Sequence, residues 1–121
     1  DPALALAREQ LGSQKIIGVS CYDDLQRARA AATQGADYVA FGSFFASAVK
    51  PGAVRAPLSV LPAARALGVP VVAIGGITLD NAGGLIAAGA DAVAVISALF
   101  AAPDPAGATR NFCRLFQVEA A

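Results

Sequence analysis

The sequence predicts an α/β fold built on a parallel sheet. Four short runs are apolar throughout rather than alternating, which is how strands covered on both faces read. Helical stretches separate these runs, and strands that alternate with helices pair in parallel. A helix–Gly–Ala–Asp–strand junction also occurs twice, at residues 32–40 and, loosely, at 86–94, as expected if one βα unit is repeated.

Taken in order, residues 3–11 form an opening helix and residues 16–20 (IIGVS) the first strand. Asp23 or Asp24 caps a helix running through Gln34, with Leu25, Ala28 and Ala32 on its apolar stripe and Arg27 and Arg29 facing water. Gly35 stops that helix, and residues 38–42 form the second strand. A third helix covers 58–67, closed by Gly68 and Pro70, before the third strand at 71–76. Thr78 or Asp80 starts the next helix, which Gly89 ends, and the fourth strand spans 92–97. A last helix over 105–119 buries Phe112, Leu115 and Phe116. Asp37 and Asp91, one in each copy of the repeated junction, are read as turn chemistry at the N-terminal edge of the sheet.

The composition narrows the function. The chain has 121 residues, 30 of them Ala, and nine basic side chains against nine acidic ones. That suits one domain spanning 1–121, and the even charge leaves no basic footprint for nucleic acid. No apolar run reaches the roughly 18 residues of a membrane span. Residues 1–3 show no secretory signal, so the expected compartment is the cytoplasm. Cys21 and Cys113 are expected to be free, buried thiols. There is no histidine, which excludes Ser-His and Cys-His catalysis and imidazole metal sites.

In such folds the chemistry lies at the C-terminal ends of the strands. Gly75-Gly76 after the third strand lets the backbone approach an anion, and Ile96-Ser97 ends the fourth strand where a helix or turn begins. Two such loops on consecutive strands suit one phosphate. The loop 42–52 carries Lys50, a point charge for phosphate or pyrophosphate, while Phe44 and Phe45 are read as packing. Ser20 ends the first strand, where its hydroxyl can bond an anionic ligand or simply close the turn. Asp1 is a lone carboxylate, and Mg²⁺ asks for one or two plus phosphate oxygens.

As an ordered set, IIGVS at 16–20, GADYVAFGSFF at 35–45, the lysine at 50, VPVVAIGGIT at 69–78 and GADAVAVISALF at 89–100 resemble the C-terminal half of the thiamine phosphate synthases. The resemblance implies a (β/α)₈ TIM barrel, of which this chain would supply strands five to eight, since a complete barrel takes about 250 residues. It also implies a transferase that joins hydroxymethylpyrimidine pyrophosphate to a thiazole phosphate, releasing pyrophosphate and forming thiamine phosphate. Asp1 falls at the family's Mg²⁺ ligand, Ser20 at a serine that contacts the pyrimidine, and Lys50 at a lysine on the pyrophosphate. Ser47 and Val49 fall at a Thr-x-Thr pair around the thiazole phosphate, with Gly76, Ile96 and Ser97 at its remaining contacts. The reaction implied, ionisation of the pyrimidine–pyrophosphate bond and capture of the cation by the thiazole nitrogen, needs no histidine. The related thiazole tautomerases are expected to use one.

The chain departs from the family pattern in two ways. Ala46 and Val49 replace the usual Pro and second Thr, removing one hydroxyl contact worth about 0.5–1.5 kcal/mol. The first four strands are missing, and with them a Gln-x-Arg-Glu-Lys-type segment and an Asn-Asp pair. A half barrel leaves two sheet edges and one apolar face to cover. Three expectations stand side by side, the retained part of a longer chain, a truncated product, or one partner of a barrel-like homodimer, and the abrupt start at Asp1 inside a family motif favours the first two. The alternative to an enzyme is a non-catalytic phosphate-binding half-barrel module.

Overall fold

The computed structural model describes residues 2–46 and 52–120. The order is α1 (Pro2–Leu11), β1 (Gly18–Tyr22), α2 (Leu25–Thr33), β2 (Tyr38–Phe41), α3 (Val60–Ala64), a 3₁₀ turn (Arg65–Leu67), β3 (Val71–Ile74), α4 (Ala82–Ala88), β4 (Ala92–Ala94), α5 (Ser97–Phe100) and α6 (Pro105–Ala120). The strands form one parallel sheet in the order β1-β2-β3-β4. No helix among the described residues is long and apolar enough to cross a membrane.

The repeated junction proves to be a repeated hydrogen-bond motif. Gly35 and Gly89 hold positive φ, 93° and 123°. Their N–H groups donate back to Ala32 and Ile86, and those of Ala36 and Ala90 donate to Ala31 and Leu85. This is the glycine-terminated helix end that satisfies orphan carbonyls. The aspartate two residues after each glycine then binds the start of the preceding strand twice. Asp37 N–H donates to Ile17 O (2.8 Å) while its Oδ2 accepts from Ile17 N–H (2.7 Å). Asp91 does the same to Val71, at 2.8 and 2.9 Å. Arg8 adds a 2.8 Å ion pair to Asp37 and reaches the carbonyls of Gly12, Lys15 and Gly35, which fastens α1 to this edge.

Side chains alternate across the strands. Cys21, Val39, Phe41, Val71 and Ala73 are fully buried against a helical layer that supplies Ala28, Leu61, Ala64, Ala82 and Leu85. Burying a Phe41- or Leu61-sized side chain contributes about 1.5–3 kcal/mol. The opposite positions are only partly covered or open: Ser20, Tyr38, Ala40, Val72, Ile74 and Ala92. The continuous apolar runs suggest cover on both faces, yet among the described residues only one face has a layer over it. The second face is apolar and has no covering layer among those residues.

Several boundaries shift for local reasons. The first strand begins at Gly18 rather than 16, because Asp37 already holds Ile17 in the turn, and it continues through Tyr22. The fourth strand stops at Ala94 rather than 97, since it pairs on one side only and Ser97 opens α5. α4 starts at Ala82, because Thr78 O accepts from the N–H groups of both Asn81 and Ala82 in a turn before the helix. α2 behaves as its Asp24 cap implies, with Oδ1 accepting from Gln26 and Arg27 N–H. Cys113 is exposed on α6, contrary to the expectation of a buried thiol, while Cys21 is buried and both are free.

Candidate functional site

The C-terminal ends of all four strands open onto one cavity of about 620 Å³, within the usual range for small-molecule sites. β1 contributes Ser20 and Tyr22, and the segment after β2 contributes Gly42, Ser43 and Ala46. The loop after β3 contributes Gly75, Gly76, Ile77 and Thr78, the end of β4 contributes Ala94, and Ile96 joins Ser97 and Ala98 from the start of α5. Four residues singled out from sequence, Ser20, Gly76, Ile96 and Ser97, therefore meet in one place although up to 77 positions separate them. Asp1, Ser47, Val49 and Lys50 lie outside the described residues.

The glycine loop is built for close approach. Gly76 has φ 65°, and a Cβ there would run into the carbonyl of Ala46 and the backbone of Phe45. The Phe44 and Phe45 N–H groups donate to Ile74 O and Gly75 O (3.3 and 3.1 Å), which draws the loop after β2 against the glycine loop. Asn81 fastens the other side: its Nδ2 donates to Gly76 O (3.1 Å) and its Oδ1 accepts from Thr78 N–H (2.8 Å). Ser43 Oγ donates to Phe45 O at 2.8 Å. Phe44 is buried and Phe45 packs on the core, as expected of packing side chains.

The described lining is polar without being charged. It offers the hydroxyls of Ser20, Tyr22, Ser43, Thr78 and Ser97 together with backbone groups, and no carboxylate or ammonium. A site of hydroxyls and glycine backbone suits the oxygens of an anion. It does not suit a bare divalent cation, and no group of three or more Cys, Asp or Glu that could hold a metal occurs among the described residues. Cys21 neighbours Ser20 but faces the helices. Burial pushes its thiol above the usual range, against a smaller opposing effect of Arg27, so it stays protonated and is no nucleophile.

Sequence reasoning missed Tyr22, Ser43 and Asn81. Period-two alternation from Ser20 points to Tyr22. Ser43 follows Gly42, the first residue after β2, much as Gly76 follows Gly75 after β3. Asn81 carries no local signal, since its contacts form only once the glycine loop has folded.

The family model for thiamine monophosphate synthase matches residues 1–99. The chain is 59% identical over 116 residues to the thiamine-phosphate synthase of Methylobacillus flagellatus, covering 96% of this chain and 56% of that protein. It is 60% identical over 117 residues to the one from Azoarcus sp., covering 96% and 57%. Among solved structures it is similar to a thiamine phosphate pyrophosphorylase from Pyrococcus furiosus, with TM-score 0.83 and 34% identity over 98% of this chain and 56% of that one. The chain thus spans little more than half the length of these relatives.

Proposed function

The chain belongs to the thiamine monophosphate synthase family, and on that premise we propose that it forms the C-terminal half of a transferase that makes thiamine phosphate from hydroxymethylpyrimidine pyrophosphate and thiazole phosphate. One observation carries this reading: the four described residues matched to the family's substrate contacts line a single cavity at the sheet's C-terminal edge. In this reading β1 to β4 are strands five to eight of a (β/α)₈ barrel, and the uncovered sheet face is half of the barrel interior.

The roles follow from position and chemistry. Gly76, Ile96 and Ser97 hold the thiazole phosphate through backbone groups and one hydroxyl, joined by Ser47 and by the backbone at Val49. Ser20, on β1, orients the pyrimidine. Lys50 neutralises the departing pyrophosphate and is the residue assigned to catalysis. Much of the rate enhancement then comes from aligning two bound substrates, because a well-oriented pair reacts as if at very high local concentration. Mg²⁺ would add charge neutralisation at the pyrophosphate. Asp1 is its assigned ligand, and the described cavity lining offers it no second carboxylate.

The test is product formation. Purified full-length protein, given both substrates and Mg²⁺, should form thiamine phosphate and pyrophosphate in equal amounts. Binding of phosphorylated ligands without any turnover would favour a non-catalytic phosphate-binding module, a reading supported by the one-sided sheet.

A further inference from the structure

Tyr22 is the one non-glycine residue with positive φ (58°) among the described residues. It is the second residue of a tight turn closed by Asp24 N–H donating to Cys21 O (2.9 Å), a position that glycine, asparagine or aspartate fills at least cost. The β1–β2 register also slips between Ser20 and Tyr22. Bulges beside functional sites re-aim a side chain, and a strained non-glycine residue persists where its surroundings hold it. Here Tyr22 lines the cavity two residues beyond Ser20, and the Arg27 guanidinium lies 5.4 Å from the centroid of its ring. The residue remains 47% exposed, so the ring is held by a cation but not packed away.

We infer that Tyr22 is a substrate-binding residue whose ring forms a wall of the subsite for the planar heteroaromatic ring next to Ser20. Arg27 is a positioning residue that holds that wall by a cation–π contact. This inference rests on the reading above, in which Ser20 meets the pyrimidine. An aromatic wall offers a stacking face to a flat ring, and its place two residues beyond Ser20 assigns Tyr22 to the pyrimidine, while Gly76 and Ser97 serve the thiazole phosphate.

The test uses the full-length protein, with KM and kcat for each substrate. Tyr22→Asn removes the ring but accepts the turn conformation. It should raise KM for the pyrimidine pyrophosphate about tenfold, with a much smaller effect on kcat and on the thiazole phosphate KM. Tyr22→Phe should recover most of that loss. Arg27→Gln should show a weaker form of the same KM effect, and Arg27→Lys should rescue it. In protein carrying ¹³C-labelled tyrosine, the ring signals missing from Tyr22→Phe should shift when the pyrimidine pyrophosphate is added. Wild-type turnover with an unchanged pyrimidine KM in Tyr22→Asn and unmoved ring signals overturns the Tyr22 assignment alone. Wild-type protein that binds neither substrate and forms no product overturns the functional reading and this inference together.

Discussion

Asp37 shows how one side chain does structural work that the turn alone does not require. The Arg8 guanidinium, then the Ile17 N–H, hold its carboxyl below the usual carboxylate range. A depressed folded-state pKa adds stability that is present above the unfolded value of about 3.9 and is lost as pH falls through the folded value. Asp37→Asn should therefore lower Tm at pH 7 and flatten the acid limb of Tm against pH; an unchanged acid limb would remove Asp37 from the account. Asp91→Ala deletes the matching bond to Val71 N–H and should cost about 1–2 kcal/mol in denaturant unfolding. Asn81→Asp keeps an acceptor for Thr78 N–H but loses the donor to Gly76 O. It should weaken thiazole phosphate binding, measured by calorimetry, more than it lowers Tm. Of these three residues only the two aspartates could be read beforehand, because turn chemistry is local and the Asn81 clasp depends on a fold already formed.

At the scale of elements, the helical layer and the strands depend on each other. Leu61 on α3 is fully buried and belongs to the same core cluster as Val39, Phe41 and Val71, so Leu61→Ala should cost about 2–5 kcal/mol, read as a fall in the denaturant midpoint. The existence, type and order of the long elements were legible in the sequence, because apolar runs, capping Asp24 and terminal Gly35, Gly68 and Gly89 each carry a local physical cause. Their ends were less legible. Strand length is decided by the neighbour: β4 is cut short where its partner among the described residues, β3, ends at Ile74. The four-residue helix α5 was visible only as a place where a helix or turn begins, since four residues hold no periodic pattern. Convergence of Ser20, Gly76, Ile96 and Ser97 followed from topology, because in a parallel sheet with helical returns every strand's C-terminal end lies on the same edge.

For the whole molecule, the open sheet face sets the expectations. Its residues Tyr38, Val72, Ile74 and Ala92 read as interior in sequence, yet among the described residues no layer lies over them. Val72→Asp should accordingly change the stability of the 121-residue chain little, while it prevents association with a covering half, as seen by native mass spectrometry of the mixture. On the proposed function, this chain carries half of a catalytic site that becomes active when the other half of the barrel is supplied. The measurement that tests it most directly is thiamine phosphate formed per mole of the 121-residue chain, alone and after assembly with the N-terminal segment of a full-length relative. Product is expected only from the assembled pair, with none above background from the chain alone. Equal turnover without the added segment, or a stable assembly that binds both substrates and makes no product, would contradict it.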